Sequence, residues 1–196
     1  MIWIITAATA VKEEGTIITH LLEAGADRVL LRKPGWDASQ YSQLVTQISP
    51  AFYHRLIIRD QVDVCHQYGL AGIHWSGAAR QQVTPAQVSP QLQHSTGIHD
   101  TADIPLLGPH FSTLLLSPVF NSISKPDYKG QHAQTLTNKG PHQVLALGGV
   151  DAHNIRQIKQ WQFDGAAILG AIWQEPAQAV EHYYRIQELW NKSDLM

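Results

Sequence analysis

An α/β chain closed into a compact (β/α)8 TIM barrel is the architecture this sequence predicts. Short continuous apolar runs, rich in β-branched residues, alternate with amphipathic helical patterns, as in a parallel sheet covered on both faces. Eight such units follow one another, the number that closes a barrel. Each run ends on a polar residue or a glycine, where barrel proteins carry their chemistry. An open doubly wound sheet is the competing architecture.

The first run is residues 2–6. A helical pattern over 11–24 follows, with Ile17, Ile18, Leu21 and Leu22 on one face and Gly25 as its left-handed stop. The second run, 29–31, leads into a helix over 38–48 that ends near Pro50. The third, 56–58, leads into a helix over 62–68 closed by Gly69. A weaker fourth run at 72–74 precedes Thr84-Pro85, an N-cap followed by proline at the first helical position. Runs five and six are 96–99 and 113–116, and residues 100–105 between them leave little room for a helix. The seventh run, 144–147, carries a helix over 152–161, and the eighth, 166–169, a closing helix over 176–190. Trp161 and Phe163 should pack outside the barrel beside the last two units.

Composition narrows the function. The chain has 196 residues, 44% hydrophobic and 15% charged, with a net charge of −2 when histidines are neutral. With no linker or low-complexity tract, residues 1–196 read as a single domain. The charge balance gives no pull toward nucleic acid or anionic membrane, so an anion site must be built locally. Cys65 is the only cysteine, which excludes an intrachain disulfide and a cysteine-rich zinc site. The apolar start lacks a positively charged leader region, and no stretch approaches the roughly 18 apolar residues of a membrane span. A cytoplasmic, reducing compartment is expected.

The residues ending the runs form the candidate site: Thr6, Arg32, Lys33, Arg59, Asp60, His74, His99, Ser117, Gly148, Gly149 and Gly170. Arg32-Lys33 can clamp a phosphate or diphosphate, or remain a solvated pair. Asp60 can ligate Mg2+ or cap the following helix. Ser122, Ser124 and Lys125 combine hydroxyls, amides and an ammonium able to wrap a phosphate. Gly148-Gly149 let backbone amides approach an anion, backed by a helix starting near Asp151, and Gly170 closes the companion loop. His74, His99 and Asp60 would suit a metal hydrolase, but Ile4-Ile5-Thr6 on the first run offers no histidine, which argues against that reading.

In this order and spacing the segments resemble the thiamine phosphate synthases and their TenI-type relatives. The resemblance runs from Ile2 to about Trp173. It is carried by Leu30-Leu31-Arg32-Lys33-Pro34, Arg55-Leu56-Ile57-Ile58-Arg59-Asp60, Gly72-Ile73-His74-Trp75 and Gly97-Ile98-His99-Asp100. Ser117-Pro118-Val119-Phe120-Asn121-Ser122-Ile123-Ser124-Lys125, Ala146-Leu147-Gly148-Gly149-Val150 and Ile168-Leu169-Gly170-Ala171-Ile172 complete it. It implies an oligomeric barrel that couples hydroxymethylpyrimidine diphosphate with thiazole phosphate, releasing pyrophosphate with the help of Mg2+. On that resemblance Arg32 holds the diphosphate, Asp60 binds Mg2+, and Ser122, Ser124 and Lys125 line the diphosphate and thiazole sides. Gly148, Gly149 and Gly170 hold the thiazole phosphate through their amides. Lys33 stands in for a shifted cation, Arg59, His74 and Ser117 line the substrates, and His99 is a candidate acid/base.

The chain also departs from that pattern. Leu30 replaces a glutamine, Pro34 a lysine and Arg59 an asparagine; Gly97 and Gly170 replace serines. Trp75-Ser76-Gly77-Ala78-Ala79 stands where a second metal-binding aspartate is usual. The diphosphate side is therefore altered while the thiazole-phosphate side is mostly kept. Two other functions fit the same site, a TenI-like thiazole tautomerase and a non-catalytic binder of thiazole or thiamine phosphates. Pro118 stands where the tautomerase histidine falls, which is synthase-like.

Overall fold

The structure, a computed structural model, describes residues 1–82, 88–121 and 129–192. Eight strands pair in parallel, each with the next, and the eighth closes on the first. They are β1 (Ile2–Ile5), β2 (Arg28–Leu31), β3 (Leu56–Arg59), β4 (Gly72–Trp75), β5 (Gln93–Ile98), β6 (Phe111–Leu116), β7 (Gln143–Leu147) and β8 (Gly165–Ile168). The outer layer includes α1 (Glu14–Glu23), α2 (Ala38–Thr46), α3 (Val62–Tyr68), α4 (Gly77–Gln82), α5 (Ile155–Gln160), α6 (Gly170–Trp173) and α7 (Ala179–Asn191). The closed barrel settles the choice against an open sheet.

Side chains along a strand alternate between faces, so each apolar run feeds two cores. Trp3, Ile5, Leu30, Ile57, Leu115, Leu145 and Ala167 fill the barrel interior. Their neighbours Ile4, Val29, Leu31, Ile58, Ile73, Leu114, Val144 and Ile168 face outward and meet the helices. The register aligns Ile5 with Leu30 and Leu30 with Ile57, stacking the inner residues in layers across the barrel. The same alternation carries Arg32, Arg59 and His74 to the inner side at the carboxyl ends of β2, β3 and β4.

Helix boundaries follow local chemistry. α1 ends where Gly25 takes φ +105°, with the Gly25 amide donating to the Leu22 carbonyl and the Ala26 amide to Leu21, a glycine stop as expected. Asp37 and Gln40 form a reciprocal capping box at the head of α2. α5 starts later than the sequence suggests, because residues 152–154 form a turn whose amides are held by Asp151. Pro176–Gln178 form a 3-10 turn ahead of α7. After β5 the chain makes a 3-10 turn, Thr101–Leu106, in place of a helix, with Pro105 inside it and Asp100 capping the Ala102 amide at 2.9 Å. β5 begins at Gln93 and ends at Ile98, earlier at both ends than expected. The Thr84-Pro85 cap lies outside the described residues. Phe163 is buried in the outer core, and Trp161 packs against it and stacks on Phe120 at 5.4 Å, outside the barrel as expected. Among the described residues no helix is long and apolar enough to cross a membrane.

Candidate active site

The end of β2 is held at four backbone atoms. Thr6 accepts from the Arg32 amide at 2.8 Å and donates to its carbonyl at 3.3 Å. Tyr41 on α2 does the same for Lys33, at 2.8 Å and 3.2 Å. Of the two adjacent cations only Arg32 faces the barrel mouth. Strand alternation turns Lys33 outward, where its Nζ lies 2.6 Å from both Glu14 carboxylate oxygens and 2.7 Å from the Thr9 carbonyl. That pair is almost fully enclosed, and Trp36 covers the ammonium at 5.1 Å. Lys33 thus fixes the end of β2, and its charge is met inside the protein.

Arg32 and Arg59 stand side by side on neighbouring strands. Burial, and then the nearby Arg59 charge, lowers the proton affinity of Arg32, yet a guanidinium stays cationic. Asp60 adopts φ +55° at the end of β3. It does not cap its own helix. Its Oδ1 accepts from the Ser76 amide at 2.8 Å, across the mouth of β4, and its Oδ2 lies 3.3 Å from Arg59 Nε. His74 is buried, with Nδ1 3.0 Å from Ser95 Oγ. Burial, followed by the charges of Arg59 and Arg32, pushes its pKa down to about 3, so the ring is neutral. Arg80 on α4 reaches back to the rim, donating from Nη1 to the Gly97 carbonyl at 3.1 Å.

Mg2+ takes oxygen ligands in octahedral geometry and usually draws one or two carboxylates from the protein. Here the candidate ligand is one carboxylate, each of whose oxygens already meets a donor, with the Arg59 guanidinium beside it and Arg32 close to Arg59. No group of three or more histidine, cysteine or acidic side chains able to hold a metal occurs among the described residues. These residues do not fit a resident Mg2+.

Across β5 and β6, His99 Nδ1 donates to the Ser117 carbonyl at 2.9 Å, and Nε2 has no partner among the described residues. The Ser117 hydroxyl lies 3.4 Å from the same Nδ1, and His132 donates from Nε2 to the His99 carbonyl at 2.8 Å. Ser122, Ser124 and Lys125, in the loop that follows, lie outside the described residues.

At β7 and β8 the groups turned to the mouth are backbone amides. Gly148 and Gly149 take φ +97° and +66°, and no described residue accepts from their amides or from that of Val150. Asn154 fastens this turn, donating to the Gly149 carbonyl at 2.8 Å and accepting from the Asp151 amide at 3.0 Å. Gly170 opens α6, whose Trp173 is anchored to the Ile5 carbonyl at 2.7 Å. A Cβ at Gly149 would collide with the Asn121 carbonyl oxygen and come within 2.8 Å of Phe120 Cβ. Close approach of the chain after β6 therefore requires this glycine, rather than the space an anion needs.

Sequence reasoning missed Glu14, Tyr41, Arg80, His132 and Asn154. Arg80 had a usable signal, a cation in the first helix after β4. The other four carry none, because their partners are distant in the chain or are backbone atoms.

Polar groups gathered over the carboxyl ends of a closed parallel barrel, with two arginines on one side and open glycine amides on the other, define a (β/α)8 barrel whose candidate site lies at the carboxyl ends of its strands. The family model described as "Thiamine monophosphate synthase" matches residues 2–172, and the chain belongs to that family. It is 27% identical over 199 residues to a thiamine-phosphate synthase of Psychrobacter sp. (strain PRwf-1), covering 92% of each chain. A crystal structure of thiamine phosphate pyrophosphorylase from Bacteroides thetaiotaomicron superposes with a TM-score of 0.76 at 25% identity, over 96% of each chain. The Pyrococcus furiosus thiamine phosphate pyrophosphorylase shares the fold, with a TM-score of 0.79 at 15% identity, over 96% of this chain and 94% of that one.

Proposed function

We propose that the protein performs the reaction its family carries in thiamine biosynthesis, coupling hydroxymethylpyrimidine diphosphate to thiazole phosphate. One observation supports this most: two anion-receptive regions of different chemistry face each other across the mouth. Guanidinium groups suit a diphosphate that gains charge as it leaves, and backbone amides suit a phosphate that only needs to be held. Arg32 and Arg59 neutralise the departing pyrophosphate, whose α-phosphate ester oxygen keeps the electron pair of the breaking C–O bond and becomes a terminal oxygen. The amides of Gly148, Gly149 and Gly170 hold the thiazole phosphate so that the ring nitrogen lone pair forms the new C–N bond. Charge balances without a proton transfer. Neutral His74 and Ser117 line the mouth between the two halves, Ser122, Ser124 and Lys125 complete the diphosphate side, and the active form is a homo-oligomer in the cytoplasm. Mg2+, which the family resemblance places at Asp60, is not part of this derivation.

The test is formation of thiamine phosphate from both precursors, run beside calorimetry of thiazole phosphate alone. Product supports the transferase. Binding without product selects a binder or a tautomerase. The tautomerase reading draws on the free Nε2 of His99, placed for proton transfer. It requires thiazole carbon to exchange hydrogen in deuterated water, and that exchange to disappear in His99→Asn.

A further inference from the structure

We propose that the diphosphate side of this site holds its anion through arginine, without a divalent cation; this rests on the coupling reading above. The argument begins with what surrounds Asp60. Its Oδ2 faces Arg59 Nε at 3.3 Å and its Oδ1 accepts from the Ser76 amide at 2.8 Å, so a metal would share both oxygens with donors and sit against the Arg59 guanidinium. The loop after β4, Trp75-Ser76-Gly77-Ala78-Ala79-Arg80, adds no carboxylate and contributes a guanidinium at the rim instead.

Charge points the same way. Arg59 pairs with the one carboxylate, Arg32 lies close to Arg59, and the imidazole that feels both, His74, is neutral. A divalent cation entering here adds to an existing positive excess, whereas a diphosphate relieves it. Arg32 and Arg59 are both partly enclosed and lie close enough to repel each other. Among the described residues no carboxylate pairs with Arg32, while Thr6 and Tyr41 hold the backbone at its root rigid. A fixed, incompletely compensated pair of forked donors is the arrangement that bidentate phosphate recognition uses. Arg59 then has two duties: it occupies the carboxylate a metal would need, and it supplies the charge the metal would bring.

The experiment is calorimetry of inorganic pyrophosphate with the full chain, in EDTA and in millimolar Mg2+, with affinities referred to the species present. The expected result is binding in EDTA at least as tight as in Mg2+. Arg59→Asn should weaken the EDTA binding about tenfold or more and create a dependence on Mg2+, because Asp60 is released. Arg59→Lys, which keeps the charge and loses the fork, should fall between them and controls for folding. Binding that requires Mg2+ in the parent protein, or no pyrophosphate binding in either buffer, overturns the proposal. Thiamine phosphate formation in the same two buffers separates the two readings. Product only with Mg2+ leaves the coupling reading standing and removes this one. Pyrophosphate binding in EDTA with no product in either buffer does the reverse.

Discussion

His74 should make the folded protein acid-sensitive, by an amount that the structure sets. In the unfolded chain its imidazole titrates near 6.5, whereas burial beside Arg59 and Arg32 brings the folded value down to about 3. Above the unfolded value the ring is neutral in both states, and its contribution to stability is fully present. As the pH falls below 6.5 the unfolded chain takes up a proton that the native protein refuses, so stability is lost steadily toward pH 3. At about pH 5 the loss from this one group comes to about 2 kcal/mol, from the linkage relation at 1.36 kcal/mol per pH unit. The perturbation is His74→Asn, which keeps a hydrogen-bonding partner for Ser95 Oγ and removes the titration. Urea unfolding of parent and variant at about pH 7.5 and about pH 5 gives the difference directly, with the other ten histidines cancelling. The parent should lose about 2 kcal/mol more than the variant over that interval. Equal losses, within about 0.5 kcal/mol, would refute the burial of a neutral ring between two arginines.

Gly149→Ala should lower stability by about 2–4 kcal/mol in a thermal melt, because its Cβ meets the Asn121 carbonyl at a left-handed φ, and thiazole phosphate binding should fall with it. Lys33→Met should cost about 3–5 kcal/mol by leaving the enclosed Glu14 carboxylate without its partner, and pairing it with Glu14→Gln should recover most of that in denaturant unfolding. Arg32→Ala should leave thiazole phosphate binding by calorimetry unchanged while pyrophosphate binding drops about tenfold or more.

The strands were legible where burial on both faces leaves an uninterrupted apolar run, as in Leu56-Ile57-Ile58 or Val144-Leu145-Ala146. β5 was misplaced because it opens with Gln93-His94-Ser95, three polar residues whose partners lie on other strands or in the chain before β5. His94 accepts from Trp75 Nε1 and donates to the Ser89 carbonyl, while Ser95 meets His74. Such pairing is invisible to periodicity. The separation of Arg32 from Lys33, by contrast, was contained in the two-residue repeat of a strand, which cannot send neighbours to the same face. Gly148-Gly149 reads in the sequence as a pair that lets amides approach an anion, whereas the contact that requires Gly149 is with the segment after β6, which no local pattern announces. Asp60 was ambiguous locally because capping and metal binding ask for the same residue type, and only the Ser76 amide on the next loop decides against the helix cap.

The seam between β1 and β8 has a temporal consequence. Thr6, which clasps Arg32, follows a strand that pairs with β8, and Trp173 grips Ile5 from just beyond β8. The arginine and glycine sides of the mouth thus share a joint made from the first and last parts of the barrel sequence. A ribosome adding about 5–20 residues per second must deliver Ile168 before Ile4 has both neighbours. Until then β1 has one open edge, and no partial product of synthesis holds a closed barrel. Completion of the ring therefore waits on the last strand, and the earlier seven can only prepare its seat.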